Sequence, residues 1–369
     1  MKTPQSSRWN IFFKDSLRTR GEARKDAGST RVESTLASSQ TEAWDRRRFL
    51  SAAFASLAVS AMPASLLPAA SPLLPQCLDF HFHGGLEREP DLSLEQWVMI
   101  AQNSRQNPPP AMAGTSKADW LKRRESVGRS CFLIVDHLEL YRPERLEITR
   151  RYVKKPRYPL APEGRKEFIA EVDALRAARK DLIIFSGWEA LETDFDTGLD
   201  IEALEMVNCV GWHIGKDPGG PVPRAKQICD LQKKLAMPMI MYHPFRQPVP
   251  KEGDTVASLR QLSPDQQKQL IDLLGDSSVY LEINISVMIQ YWPKPLKRQA
   301  FIDDLRPLVE AGLEFAVGSD WHRREDIEYY EPERYLADLG IHARQVTGIV
   351  GDLLTRSRKE AISPLLYKP

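Results

Sequence analysis

The chain has 369 residues, 42% hydrophobic and 27% charged, a balance that suits a soluble globular protein and excludes a mainly disordered, collagen-like or multi-span membrane chain. Its 51 Lys and Arg against 50 Asp and Glu leave +1, so no global basic field argues for nucleic acid. Four cysteines without a C-x-x-C pair are too few for a disulfide scaffold or a zinc ribbon.

The first seventy residues differ from the rest. They carry a net +5, and the remaining 299 carry −4. Residues 1–45 are polar and show no sustained periodicity, which predicts a disordered arm. Asp45-Arg46-Arg47-Arg48-Phe49-Leu50 then precedes an uncharged Ala- and Ser-rich run that ends near residue 70. That run falls short of a membrane span, which needs roughly 20 strongly apolar residues. Ala58, Ser60, Ala61, Ala69 and Ala70 offer small-residue cleavage sites. The Arg-Arg-x-Phe-Leu core resembles a twin-arginine export signal. The resemblance implies the twin-arginine translocon as a partner during export and a periplasmic or exported location. The cytoplasm is the alternative if the segment is only a basic arm and an apolar helix.

From residue 77 short apolar runs alternate with longer amphipathic segments, the pattern of βα units on a parallel sheet. Seven runs have strand character, at 77–82, 131–135, 182–186, 206–212, 238–242, 278–283 and 313–317. Helical patterns lie between them at 165–178, 226–235, 264–274 and 301–310. Strands buried on both faces and followed by helices suit an α/β TIM-like barrel over residues 77–369. Two long connections break the regularity: 84–130, with its Pro-rich stretch 107–114, and the strongly basic 138–160.

The histidines follow the strands. His81, His83, His137, His213, His243 and His322 all fall at or just beyond a predicted strand end, where side chains of a barrel converge. His342 alone stands elsewhere and reads as an ordinary hydrogen-bonded histidine. Asp79, Asp136, Glu189, Glu282 and Asp320 share the same ends. In Asp79-Phe80-His81-Phe82-His83 the strand period of two puts both imidazoles on one face. Imidazole with carboxylate suits zinc, manganese or iron. About nine N and O donors exceed the needs of one tetrahedral ion, so two or three divalent ions are expected. Glu282 reads either as a ligand or as a carboxylate that orients a ligand histidine.

The order of these elements resembles the polymerase and histidinol phosphatase (PHP) family of metal-dependent phosphoesterases. Asp79-Phe80-His81-Phe82-His83 is similar to its opening Asp-x-His-x-His strand, and Val135-Asp136-His137 to its Thr-Asp-His segment. Gly187-Trp188-Glu189 resembles its Gly-x-Glu segment, while Trp212-His213 and Tyr242-His243-Pro244 stand where two single ligand histidines occur. Leu281-Glu282-Ile283-Asn284 and Gly318-Ser319-Asp320-Trp321-His322 resemble the last two strands. The resemblance implies a distorted (βα)7 barrel with three metal sites. His81, His83, Glu189 and Asp320 would hold the first ion, and Glu189 would bridge to a second held by His213 and His243. His137 and His322 would hold a third, joined by a residue six positions after His83. Here that residue is Glu89, with Glu87 an equal-chemistry neighbour.

The activity so implied is hydrolysis of a small phosphorylated substrate, with Glu189 and Asp320 at the centre of the catalytic machinery. Arg246, three residues after His243, is the first candidate for phosphate contact, since a guanidinium binds phosphate bidentately. Arg323 and Arg324 after His322 and the basic stretch Arg142–Arg157 are further candidates. In that stretch Tyr141, Tyr152 and Tyr158 raise an oligonucleotide-stacking alternative, though no stable nucleic-acid or membrane partner is expected. Two rival functions remain. One is an amidohydrolase-type C–N or ester hydrolase, which normally carries its bridging residue after the fourth strand. The other is a non-catalytic metal-binding barrel.

Overall fold

The computed structural model describes residues 75–86, 88, 91–103, 129–153, 155–191, 194–214, 221–245, 262–322 and 330–366. The arm, the twin-arginine-like segment and the stretch 107–114 lie outside the described residues. Among the described residues no helix is long and apolar enough to cross a membrane.

Seven parallel strands follow one another in sequence order across a single sheet. They are β1 Leu78–His83, β2 Cys131–His137, β3 Ile183–Leu191, β4 Cys209–His213, β5 Met239–Tyr242, β6 Val279–Asn284 and β7 Phe315–Gly318. Every residue of β1, β4, β5, β6 and β7 is buried; β5 and β7 read as unbroken apolar runs, whereas β1 alternates apolar residues with Asp79, His81 and His83. The covering helices Pro162–Ala178, Pro221–Leu235, Pro264–Gly275 and Pro295–Glu310 each open on a proline, whose missing N–H costs nothing in the first turn. Ser263 and Gln266 add a reciprocal capping box to the third of these.

The sheet curls until its last strand meets its first. The Asp320 amide donates to the His81 carbonyl at 2.7 Å, and Phe82 bridges Trp321 in parallel. The result is a nearly closed barrel of seven parallel strands. Gly318 permits the approach, because a Cβ there would lie 2.4 Å from the His81 Cβ.

A buried ion pair locks this seam. Arg129 Nη1 donates to Asp79 Oδ2 at 2.8 Å, and Asp79 Oδ1 accepts from the Ser319 amide at 2.9 Å. The guanidinium also covers the rings of Tyr330 and Trp321, at 4.6 and 5.3 Å from their centroids. Asp79 therefore serves closure of the barrel.

Several boundaries differ from the sequence expectation. β3 runs on to Leu191, so Glu189 sits inside a strand, opposite His137 of β2. β4 starts only at Cys209, because Asp200 first caps a short helix, Ile201–Glu205. The basic connection after His137 is no open loop. It forms 3₁₀ turns at Leu138–Tyr141 and Pro143–Arg145 and a helix, Leu146–Tyr152. Tyr141 and Tyr158 are buried there, with their hydroxyls on Asp136 and Glu171, so neither ring offers a stacking platform.

Candidate metal centre

The barrel mouth is organised around one buried carboxylate. Glu189, 1% exposed, turns Oε2 towards His81 Nε2 and His83 Nε2, both at 3.2 Å, and towards His137 Nδ1 at 3.5 Å. Its other oxygen, Oε1, lies 3.3 Å from His243 Nε2. Asp320 approaches from β7, with Oδ1 3.8 Å from His81 Nε2 and 3.6 Å from His83 Nε2.

These spacings fit ion ligation. Donors about 2.05 Å from a tetrahedral ion stand about 3.3 Å apart, and the two imidazoles, Glu189 Oε2 and Asp320 Oδ1 scatter around that value. The facing Nε2 atoms of His81 and His83 are only 3.0 Å apart, a separation that one shared proton or one shared cation explains. Three overlapping groups gather their donors within 4.8 Å: His81, His83 and Asp320; His81, Glu189 and His243; His83, His137 and His322. Among the described residues the ionic partners of Glu189, Glu282 and Asp320 are all imidazoles. Buried carboxylates without lysine or arginine are costly unless a cation joins them. Divalent ions fit this site.

An outer layer fixes the inner one. Glu282 Oε1 lies 2.6 Å from His81 Nδ1, and its Oε2 accepts the His243 amide at 2.8 Å. Glu282 is thus placed as an orienting carboxylate, which holds a proton on Nδ1 and leaves Nε2 for an ion. Asn284 Nδ2 stands between Glu282 Oε1, His243 Nδ1 and Asp320 Oδ2, at 3.1, 3.2 and 3.3 Å. Tyr242 stacks on His81 with ring centroids 3.7 Å apart and donates to the Phe80 carbonyl. That ring fits only because residue 211 is glycine, where a Cβ would meet it at 1.7 Å.

His243 and Asp320 both occupy the left-handed backbone region, with φ of 56° and 54°. Such conformations cost about 1–3 kcal/mol for residues other than glycine and concentrate at functional sites. Here the turn lets each residue aim into the mouth just past its strand.

Electrostatics set the resting protonation. Burial alone would lower the basicity of His81, but Glu282, Glu189 and Asp320 outweigh it and raise its pKa well above the imidazole value. His83 is raised in the same way by Asp320 and Glu189. Burial would lift the Glu189 carboxyl, yet His137 and His81 hold it well below the usual range. His243 is lowered, chiefly by burial, and so offers a neutral ring. An ion must therefore displace the proton held between His81 and His83, and raising pH removes that competition. Affinity for Mn²⁺ should rise with pH through and above neutrality, with net proton release on binding. Titration calorimetry in buffers of different ionisation enthalpy measures both; a pH-independent affinity without release contradicts the protonated resting state.

The remaining candidates sort plainly. His213 stands beside His243, with ring centroids 4.7 Å apart, but it is not among the three donor groups. His342 precedes the last helix and is not among them either. Asp136 accepts from the Leu86 and His137 amides, and so shapes the β2 turn. Glu87, Glu89, Arg246, Arg323 and Arg324 lie outside the described residues. Asn284 went unassigned in the sequence because a helix-capping asparagine looks the same, and it does cap Ile285–Tyr291.

No family model matches the chain, and no curated protein matches it. Among solved structures it is similar to a chain of the cryo-EM structure of archaeal ribonuclease P with mature tRNA. The identity is 10%, the match covers 64% of this chain and 87% of that one, and the TM-score is 0.39.

Proposed function

We propose that the chain is a PHP-type metal-dependent hydrolase acting on a small phosphoester. The observation that supports this reading is Glu189 on β3, whose two oxygens face different imidazole groups as a bridging carboxylate would. Its place on the third strand, with His137 and His322 grouped near His83, favours a phosphoesterase over an amidohydrolase-type site. Divalent ions held there supply Lewis-acid charge for a phosphoryl group and acidify water towards neutral pH. The chain's own residues do the rest. Glu189 and Asp320 provide negative charge that keeps the ions in the mouth, Glu282 fixes the His81 tautomer, and Asn284 steadies Asp320 and His243. Arg246 follows His243 by three residues and would supply positive charge to the phosphate.

The deciding experiment compares phosphoester and amide substrates on metal-loaded protein, with Arg246→Ala beside wild type. A phosphoryl substrate is charged throughout, whereas an amide is neutral until attack. Arg246→Ala should keep its metal and lose about 1.5–3 kcal/mol of phosphate binding in the transition state, roughly one to two orders of magnitude in kcat/KM. Turnover of amides alone, indifferent to Arg246→Ala, would replace this reading with the amidohydrolase one.

A further inference from the structure

We propose that Glu139 is a metal-ligating carboxylate, which joins His137 and His322 as a donor at the end of β2. The inference rests on the metal-dependent reading above and assigns a residue that neither the motif order nor the strand ends pointed to.

Glu139 is only 4% exposed. Its Oε1 lies 3.3 Å from His137 Nδ1, a normal separation for two donors of one ion. Its Oε2 is buried and makes no hydrogen bond. A carboxylate oxygen left so is unfavourable, and a cation between carboxylate and imidazole removes the cost. The backbone holds the group in place. Glu139 sits in the 3₁₀ turn Leu138–Tyr141, and the Arg142 amide donates to the Glu139 carbonyl at 3.2 Å. The obvious neutralising group is engaged elsewhere, because Arg142 Nη2 pairs with Asp194 Oδ2 at 2.9 Å. Among the described residues the ionic partner of Glu139 is therefore the His137 imidazole. His137 in turn stacks with His83 and His322, at centroid distances of 4.8 and 5.9 Å, so Glu139 flanks the third donor group. Imidazoles with a hard anionic oxygen suit a divalent ion of the manganese, iron or zinc kind.

Glu139→Gln tests this on the full chain. Glutamine keeps the length and an oxygen beside His137, but it removes the charge a ligand needs. Metal-stripped wild type and variant are titrated with Mn²⁺ and with Zn²⁺, and bound ions are counted by elemental analysis after dialysis. The variant should hold one ion fewer per chain, with affinity for the lost ion down by more than about 100-fold, beyond the range for losing an outer partner. Glu139→His, which restores a ligand atom, should recover the count. If Glu139→Gln does not fold, Glu139→Asp keeps the charge, and its Mn²⁺ electron paramagnetic resonance spectrum should differ from wild type. Wild-type ion count with affinity within about threefold in Glu139→Gln, or an unchanged spectrum in Glu139→Asp, would overturn the assignment of Glu139 alone. Wild type that binds no ion would overturn the metal-dependent reading with it.

Discussion

Glu189→Gln should abolish most activity and release at least one ion while leaving the barrel folded. The carboxylate sits among four imidazole nitrogens within 3.5 Å and is 1% exposed, so its charge cannot be replaced by solvent. Glutamine preserves the shape but presents an amide N–H₂ to one side, a donor where a ligand lone pair is required. Removing one preorganised charge-stabilising group from a reacting centre costs about 10²–10³ in turnover, so kcat/KM should fall by roughly two to three orders of magnitude. Elemental analysis and kcat/KM on the same preparation check both parts. A second readout is independent of turnover. Without the Glu189 charge, the metal-free protein should hold its His81 and His83 protons less tightly, which an NMR titration of the imidazoles follows. Full metal content and activity within tenfold of wild type would remove Glu189 from the centre of the site.

The parts of this architecture visible in the sequence are those written in local patterns. Buried parallel strands favour consecutive apolar residues, as in Met239–Tyr242 and Phe315–Gly318, whereas β1 alternates apolar residues with Asp79, His81 and His83. The His81–His83 pair was legible because a strand repeats every two residues. Glu282 stood open between two roles, and the 2.6 Å approach to His81 Nδ1 selects the orienting one. What stayed hidden depends on distance along the chain or on backbone torsion. The Asp79–Arg129 pair joins residues fifty positions apart, and Asn284 meets His243 and Asp320 from a third strand. The positive φ of His243 and Asp320 could not be read from the sequence, since histidine and aspartate, though enriched there among non-glycine residues, adopt it at only a small fraction of their positions. Glu139 was hidden by its setting, a short 3₁₀ turn inside a stretch whose basic residues suggested an open loop.

Arg129→Met should destabilise the protein by about 3–5 kcal/mol, because it leaves the Asp79 carboxylate buried with its counter-charge gone. Asp79 is fully buried and keeps the Ser319 amide and a long contact from the His81 amide as donors, both to Oδ1, which is too little for an ionised group. For a domain of this size the loss corresponds to a Tm lower by roughly 6–20 °C. The double variant Asp79→Leu with Arg129→Met removes both charges, and it should recover much of the loss because an apolar pair of similar volume carries no desolvation cost. Differential scanning calorimetry of the metal-free forms measures all three. The seam also links stability to the metal centre. Ser319 is fastened to Asp79, and the next residue, Asp320, donates its amide to the His81 carbonyl while its carboxylate faces the mouth. Loosening β7 against β1 should therefore weaken Mn²⁺ binding in Arg129→Met although neither Asp79 nor Arg129 is in the donor groups. A single variant that melts within about 1 kcal/mol of wild type, or a double variant less stable than either single one, would show that the ion pair does not hold the barrel closed.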